Sequence, residues 1–325
     1  MRMRALLATV ALATATGCSS ASGPGVQFTI PKGASFREAA ESLSAHGLVN
    51  SVRVFSLYAK FRNRDRSLRW GTYVLRPGMS WGQMLDALRL GRGVIHEVTI
   101  PEGLSIADVE PLLMDALDLT QDSLDAAVRD TALLHELDVP THTLEGYLFP
   151  ATYTFPDKTT AREAVRMMVE QFEHAWRPEW TAQARSMKLS RNDIVTLASI
   201  VEREVRRDEE RPVVAAVYLN RLRIGMPLMA DPTVSYALGK KPGRVLLKDL
   251  RVKSPYNTYR RTGLPPGPIA SPGLASIRAS LYPAKVGYRF FVAAPDGHHE
   301  FRRTYAEHLQ AIEMVRAMKK DSVKP

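Results

Sequence analysis

The middle of the chain reads Leu197-Ala198-Ser199-Ile200-Val201-Glu202-Arg203-Glu204-Val205. Upstream, Ser190 with Asp193 three residues later predicts a capping box, which starts a helix that we expect to continue to Arg206. At about 100° per residue, one face of this helix is apolar and would pack on a core. The residues of the apolar stripe are Ile194, Val195, Ala198, Val201 and Val205. The sequence therefore predicts a helix that brings acidic side chains to the edge of a buried surface.

Two carboxyl groups flank this stripe. Glu202 lies on one edge, in line with Val195, and Glu204 lies near the opposite edge. A carboxyl beside apolar surface is partly desolvated, which favours its protonated form and suits a general acid. The alternative is a surface Glu paired with Arg206 or Arg207. Helical geometry alone does not choose between Glu202 and Glu204.

The composition is that of a globular protein with room for two domains. The chain has 325 residues, 45% of them hydrophobic, and a formal net charge of +10. Its basic residues are scattered, without the dense Lys/Arg block of a nucleic-acid-binding tail, so we expect no nucleic-acid partner. The charge reflects either a solvated basic surface or attraction to an anionic partner, such as lipid headgroups or an acidic cell-wall polymer.

The first residues resemble an export signal. Met1-Arg2-Met3-Arg4 gives a positive start, and the apolar residues 5–16 form a segment too short to cross a bilayer comfortably. The lone cysteine, Cys18, excludes an intrachain disulfide, and Ala15-Thr16-Gly17-Cys18 resembles the lipobox at which bacterial lipoproteins are lipidated. We expect lipidation at Cys18, with plain signal cleavage and a retained short anchor as alternatives. Fatty-acid labelling that is lost in Cys18→Ser would distinguish lipidation from both.

Three weak repeats follow residues 1–24. Each combines a short apolar strand, a Pro-x-Gly turn and a Ser that caps a helix. The strands are expected at residues 26–30, 73–75 and 98–100, the capping residues are Ser35, Ser80 and Ser105, and the helices are expected at 36–45, up to 90 and 106–117. The first two repeats, within residues 25–97, resemble LysM-like modules that bind N-acetylglucosamine polymers. Structural scaffolding is the alternative role.

A second domain is expected over residues 98–320, with a tail at 321–325. Pro212 is the expected first residue of a helix that ends at Gly225. Both Asp231-Pro232 and Ser271-Pro272 have the cap-then-Pro pattern of a helix start. Residues 289–294 and 299–303 predict a β-hairpin across Asp296-Gly297, and residues 305–319 an amphipathic helix whose Ala/Leu/Ile/Met face packs on the core. The expected fold class is α+β, with small βα modules before a mixed, helix-rich domain.

Several motifs around the central helix carry a family resemblance. They read Leu144-Glu145-Gly146-Tyr147-Leu148-Phe149-Pro150, Tyr218-Leu219-Asn220-Arg221-Leu222, Asp231-Pro232-Thr233-Val234, Tyr256-Asn257-Thr258-Tyr259, Gly263-Leu264-Pro265-Pro266-Gly267-Pro268-Ile269-Ala270 and His299-Glu300-Phe301. Together with residues 198–204 they resemble the MltG (YceG-like) family of endolytic murein transglycosylases. The resemblance covers almost the whole chain after the signal-like segment, and it implies a YceG-like catalytic domain.

The resemblance also implies site residues. It assigns the catalytic acid to the first Glu of the Glu-x-Glu pair, Glu202. Candidate glycan contacts are Glu145, Tyr147, Asn220, Asp231, Asn257 and Tyr259. Each has a structural alternative, such as a helix N-cap for Asp231 or a loop-holding amide for Asn220, and we expect His299 to hold the hairpin rather than to catalyse. The sequence has no Gly-rich phosphate loop and no His-Glu-x-x-His zinc helix, so we expect no cofactor and no metal.

The implied activity is that of a lyase that cuts the MurNAc–GlcNAc bond of peptidoglycan without water and limits the length of nascent strands. One carboxyl would protonate the leaving oxygen and then deprotonate the C6 hydroxyl of the same sugar, closing a 1,6-anhydro ring. The expected partners are glycan strands, the membrane through the N-terminal anchor and peptidoglycan synthases, at the extracytoplasmic face of the membrane.

Two other functions stay open from the sequence. A non-catalytic cell-wall-binding lipoprotein would hold glycan while its second domain scaffolds synthases. A muramidase that uses water would need a second carboxylate about 5 to 9.5 Å from the first, for which Glu145 and Asp231 are the candidates. The mass of the products separates these functions, because an anhydro product is one water lighter.

Overall fold

A computed structural model describes residues 24–65, 68–91, 94–241, 243 and 245–321, with side chains as far as residue 318. The chain divides into two compact units, Met1–His96 and Glu97–Pro325. The signal-like segment and Cys18 lie outside the described residues, so the lipidation of Cys18 stays a prediction. No helix in the described part of the chain is long and apolar enough to span a bilayer.

The first unit packs helices on one face of an antiparallel sheet. Its elements in chain order are β1 (Val26–Ile30), α1 (Phe36–Ala45), α2 (Val52–Phe61), β2 (Gly71–Leu75), α3 (Trp81–Leu90) and the start of β3 (Val94–Thr99). β2 lies between β1 and β3, with Phe28 opposite Tyr73 and Tyr73 opposite Val94. Alternate residues of the strands are buried against Phe55 and Leu85 of the helices, as the period of two of a half-buried sheet requires.

The first two predicted repeats are confirmed as strand-turn-helix units. Ser35 and Ser80 cap α1 and α3 in capping boxes with Glu38 and Gln83, so local hydrogen bonds fix both helix starts. The repeat pattern missed α2, which stands between α1 and β2 and begins at the cap Ser51. The resulting order is therefore β-α-α-β-α-β rather than a run of equal units.

The second unit is a helix-rich mixture. After the end of β3 its elements are α4 (Ile106–Leu117), α5 (Gln121–Val128), α6 (Thr131–Glu136), β4 (Thr152–Pro156), α7 (Ala161–Ala175), α8 (Pro178–Ser186), α9 (Arg191–Glu204), α10 (Arg211–Arg223), α11 (Asp231–Ala237), α12 (Leu274–Leu281), β5 (Phe290–Ala293), β6 (His299–Arg302) and α13 (Tyr305–Asp321). Short 3₁₀ turns occupy Asp208–Glu210 and Asp249–Arg251. The hairpin of β5 and β6 is confirmed, with Ala293 opposite His299.

Helix α9 is the centre of this unit. Its residues from Ile194 to Val201 are at most 1% exposed, so the helix is enclosed on all sides and not only along the predicted stripe. Ile194, Val195 and Ala198 belong to one apolar cluster, whereas Leu197, Ile200 and Val201 belong to another. Helix α9 thus lies between two apolar cores. Its contacts with both cores fix the orientation of its last turn.

Some predicted helix ends were wrong. α9 stops at Glu204 because Val205 is extended, with φ −90° and ψ 136°. α10 stops at Arg223, two residues before Gly225.

Two of the predicted caps were also wrong, and one predicted face is only partly covered. Asp231 is the first residue of α11 and not its N-cap, and α12 is capped by Gly273 rather than Ser271. The last helix buries Ala311 and Val315, but Leu309 and Met314 are exposed, so its apolar face is only partly covered.

Gly146 holds two loops of the second unit in close contact. Its φ is +82°, and a Cβ at this position would lie 2.3 Å from Pro268 Cβ and 3.3 Å from Val195 Cγ1. The left-handed conformation costs a side-chain-bearing residue about 1–2 kcal/mol, and the clash adds to that cost.

We expect Gly146→Ala to lower the free energy of unfolding by about 3 kcal/mol or more, measured by urea denaturation. Gly263→Ala is the matched control, because Gly263 has φ +87° and a Cβ added there would have no heavy atom within 4 Å. It should lose only the conformational part, about 1–2 kcal/mol. Equal losses in the two variants would contradict the close contact of Gly146 with Pro268.

Candidate active site

A cavity of about 1190 Å³ lies in the second unit, where the last turn of α9 meets the first turns of α4 and α11 and the β5–β6 hairpin. Its acidic lining residues are Asp108, Glu110, Asp125, Glu145, Glu204 and Asp231. Its basic lining residues are Arg129, Arg203, Arg206, Lys240 and Lys241. A cavity of this size, lined by both apolar surface and convergent charged groups, is typical of a ligand site.

Glu204, the last residue of α9, reaches this cavity. Burial raises the pKa of its carboxyl to about 8, and the negative charge of Asp231 contributes to the rise, whereas Arg221 and the Tyr218 hydroxyl oppose it. A Glu with this pKa holds a proton at neutral pH, as a general acid must. Of the two carboxyls that flank the apolar stripe, Glu204 is the one that lines this cavity.

Glu202, the predicted acid, points to a different set of partners. Its Oε1 lies 3.3 Å from Nη2 of Arg211, and its Oε2 accepts a hydrogen bond of 3.0 Å from the Gly273 N–H. The side chain is 7% exposed, and Glu202 is not among the residues that line the cavity. Both oxygens therefore join α9 to the starts of α10 and α12, and little of the carboxyl is left for a sugar. The alternative pairing of this Glu with Arg206 or Arg207 was wrong, since its partner is Arg211.

A third carboxyl lies beside Glu202. The pKa of Glu102 is raised by burial and by the charge of Glu202, while Arg211 lowers it. The Glu102 carboxyl occupies the space next to Gly273, where a Cβ on the glycine would lie 2.0 Å from Glu102 Oε1. The Glu202 side of the helix is therefore a packed junction of charges.

Glu145, a candidate for glycan contact, lies in the wall of the cavity, and its contact with glycan stays a prediction. Its carboxyl accepts hydrogen bonds from the Ile106 N–H at 3.2 Å and the Tyr236 hydroxyl at 3.2 Å. Burial raises its pKa to about 7, against the effect of these hydrogen bonds and of Arg203. Glu145 is thus a second carboxyl in the cavity that changes charge near neutral pH.

Asp231 and Tyr259 form a pair next to Glu204. The Tyr259 hydroxyl donates a hydrogen bond of 2.6 Å to Oδ1 of Asp231, which is exposed at the start of α11. Burial and the charge of Asp231 raise the pKa of the Tyr259 hydroxyl, so it remains a donor. The pair places a hydrogen-bonded carboxyl on the same cavity as Glu204.

Three other candidates for glycan contact are structural in this fold. Tyr147 is fully buried and donates to Asn192 Oδ1 at 3.1 Å, and Asn257 is fully buried, with its Nδ2 on the carbonyls of residues 250 and 252. The Asn220 Nδ2 donates to the carbonyls of Val286 and Tyr288, both at 2.9 Å. The expectation that these three line the cleft is not supported, because their polar groups are used to hold loops or the core.

His299 lines the cavity but is held by the protein itself. Its N–H donates to Glu210 Oε1 at 2.8 Å, and its Nδ1 lies 2.6 Å from Glu210 Oε2. This geometry agrees with the expected hydrogen-bonding role at the start of β6.

Sequence reasoning missed Arg203 and Tyr236. Arg203 stands between the two glutamates, lines the cavity and lies 3.3 Å from Asp108 Oδ2, while its buried Nε has no hydrogen-bond partner among the described residues. Tyr236 donates to Glu145. The sequence did contain a signal for Arg203. It stands between the two glutamates at the end of a buried helix and leaves the helix axis about 100° from each of them, so its side chain also faces protein.

Comparison with known proteins gives one consistent picture. The sequence profile of the YceG-like family matches residues 28–314. An endolytic murein transglycosylase of Bacillus subtilis is 34% identical over 304 residues, which cover 89% of this chain and 84% of the relative. An endolytic murein transglycosylase of Streptococcus pneumoniae D39 is 33% identical over 295 residues, which cover 81% of this chain and 53% of the relative. This chain therefore spans about half the length of the pneumococcal protein.

The fold has a solved counterpart. The crystal structure of a yceG-like protein from Listeria monocytogenes superposes with a TM-score of 0.68 at 31% identity, covering 89% of this chain and 99% of that chain. Because the family profile, the relatives and this structure all match across most of the sequence, the chain belongs to the YceG-like family.

Proposed function

We propose that this chain is an endolytic lytic transglycosylase, a lyase that cleaves the MurNAc–GlcNAc bonds of peptidoglycan strands without water and leaves 1,6-anhydro-MurNAc ends. Membership of the YceG-like family and the activity named for the Bacillus and Streptococcus relatives support the proposal. The observation that carries it is the Glu204 carboxyl, which reaches a large cavity and has a pKa of about 8. The enzyme would act outside the cytoplasmic membrane, where its polymer lies.

We assign the acid to Glu204 rather than to Glu202, which the resemblance had indicated. The Glu204 carboxyl lines the cavity, and burial raises its pKa, whereas the Glu202 oxygens are engaged by Arg211 and by the Gly273 N–H. Glu202 would then act on catalysis only by holding the end of α9. The same Glu-x-Glu motif supplies both residues, and the roles follow from the direction in which each side chain leaves the helix.

The proposed reaction needs one proton-transfer group. Glu204 protonates the bridging oxygen as its bond to C1 of MurNAc breaks. The Glu204 carboxylate then takes the proton of the C6 hydroxyl of the same sugar while O6 bonds to C1, and Glu204 regains its proton. No water is consumed, and one carboxyl suffices because the nucleophile already belongs to the substrate.

Asp231 supplies the complementary charge. The transition state at C1 has oxocarbenium character and therefore gains positive charge. Asp231 carries a carboxylate in the same cavity, held by the Tyr259 hydroxyl, and a fixed negative group near developing positive charge stabilises it. In this proposal Asp231 has two effects, since its charge also keeps Glu204 protonated.

The alternative with support in the site is a muramidase that uses water. Such an enzyme needs a second carboxyl to activate the water, and Glu145 and Asp231 both lie on the cavity of Glu204. Hydrolysis leaves reducing MurNAc ends that are one water heavier than anhydro ends. Mass analysis of the products therefore distinguishes the two reactions.

We expect Glu204→Gln to lower the turnover of uncrosslinked glycan strands by a factor of about 10² to 10⁴, because the amide cannot transfer a proton at neutral pH. The measurement is the rate at which anhydro-MurNAc ends appear, followed by mass spectrometry. Circular dichroism should show a folded protein, since Gln keeps the size of the side chain.

Glu202→Gln is the matched control on the same helix. It should keep turnover within about tenfold and lower the free energy of unfolding by about 1–3 kcal/mol, because the ion pair with Arg211 is lost. If Glu202→Gln is inactive and Glu204→Gln is active, Glu202 is the catalytic acid. Full activity in both variants would show that neither glutamate of this helix is the catalytic acid.

The acid also predicts a pH dependence. A carboxyl with a raised pKa is protonated below that value, so kcat/KM should fall as the pH rises through about 8. Asp231→Asn removes a negative charge that raises the pKa of Glu204, so the falling limb should move to lower pH. Asp125→Asn, on the same cavity but without effect on Glu204, is the control and should leave the limb in place. If kcat/KM falls at the same pH in Asp231→Asn as in the unchanged protein, the charge of Asp231 does not raise the pKa of Glu204.

We also propose that the first unit binds polymeric glycan, as its resemblance to LysM-like modules suggests. The β1-α1-α2-β2 order and the turn that precedes each capped helix are compatible with this role. Removal of residues 26–93 should lower affinity for long glycan strands while a short oligomer is still cleaved. Unchanged polymer binding would make the unit a scaffold.

A further inference from the structure

Helix α2 of the first unit presents apolar side chains to solvent. Val54 is 52% exposed, Leu57 70% and Phe61 87%. Positions three, four and seven apart share one face of a helix, so these three side chains form a continuous stripe. The opposite face is already used, since Phe55 and Ala59 are fully buried in the core of the unit. The helix is therefore anchored on one side and has a second apolar side without a described contact.

Positive charge borders this stripe. Arg53 and Lys60 are both exposed, and at 100° per residue both lie within about 60° of Leu57 around the helix axis. Helix α2, with the sequence VRVFSLYAKF, contains no acidic residue, and Arg62 follows it. Arg62 stacks on Tyr58 with its guanidinium carbon 5.5 Å from the ring centroid.

This combination selects a particular partner. Contiguous exposed apolar side chains mark an interaction site, and an apolar stripe edged by cations is the pattern of a helix that lies in the interface of a bilayer. The apolar side chains enter the boundary between headgroups and acyl chains, while the cations meet anionic headgroups. A sugar polymer would gain little from Val54 and Leu57, whose branched aliphatic groups offer neither hydrogen bonds nor a stacking plane.

We propose that α2 docks on the surface of an anionic phospholipid bilayer through Val54, Leu57 and Phe61, with Arg53 and Lys60 on the headgroups. This contact is separate from any N-terminal anchor and from the catalytic cavity. It would fix the orientation of the first unit on the membrane, where a tether at residue 18 alone would leave it free to rotate.

The test uses a local probe, because the apolar segment 5–16, which stays on the chain in Cys18→Ser, would bind the whole chain to vesicles in every variant. In the full-length chain Cys18→Ser removes the only thiol, and Leu57→Cys then receives an environment-sensitive nitrobenzoxadiazole label. The matched control is a label at Gln27→Cys, on the face of β1 opposite to the buried Phe28 and hence opposite to the helices. Vesicles contain phosphatidylglycerol with phosphatidylcholine, or phosphatidylcholine alone.

With phosphatidylglycerol vesicles we expect a blue shift and protection from iodide quenching at position 57 but not at position 27. Phosphatidylcholine alone should give much weaker protection. Arg53→Gln with Lys60→Gln should require roughly tenfold or more additional lipid for the same shift at low salt, since each cation contributes about a fivefold change in affinity.

Equal iodide quenching at position 57 with and without vesicles would overturn the proposal. Protection that is present before vesicles are added would also overturn it, because another part of the chain or a second copy would then cover the stripe. Protection that appears on addition of glycan strands instead of lipid would identify the stripe as a glycan surface and equally contradict bilayer docking.

Discussion

The burial of residues 194–201 of helix α9 is the constraint on which the site depends. Two apolar clusters hold its middle turns, so the direction of every side chain in its last turn is fixed. Successive residues leave a helix about 100° apart. Glu202 therefore reaches Arg211 and the Gly273 N–H, Arg203 reaches Asp108, and Glu204 reaches the cavity. Three adjacent charged residues therefore have three different sets of neighbours.

The electrostatics of the cavity follow from this arrangement. Glu204 loses hydration and lies near the negative charge of Asp231, and both effects favour its protonated form. The buried Arg221 opposes them, and its guanidinium is itself held by the carbonyls of Leu228 and Arg289. Burial raises the pKa of Glu145, which also lines the cavity, to about 7. The cavity thus combines groups that differ in charge at one pH, which is the pattern of acid–base sites.

Much of the fold was predictable because it is set by local hydrogen bonds. The capping boxes at Ser35, Ser80 and Ser190 begin helices at the expected residues, and the β5–β6 hairpin follows from its turn.

The choice between Glu202 and Glu204 was not predictable from the helix, because it depends on Arg211, Gly273 and Asp231, which are close only after folding. The same reason explains Tyr147 and Asn257. Their polar groups suit sugar contact, yet non-local packing engages them in the core and in loop carbonyls. Family resemblance identified the motif, and tertiary contacts distinguish the surroundings of its two glutamates.

The most direct test is titration of the carboxyl carbons by NMR in protein labelled with ¹³C at the Glu side chains. We expect a resonance that titrates near pH 8 and that is absent from Glu204→Gln but present in Glu202→Gln. If the Glu204 resonance titrates near the ordinary Glu value of about 4.3, or if the high-pH resonance disappears in Glu202→Gln, Glu204 is not the protonated acid of the cavity.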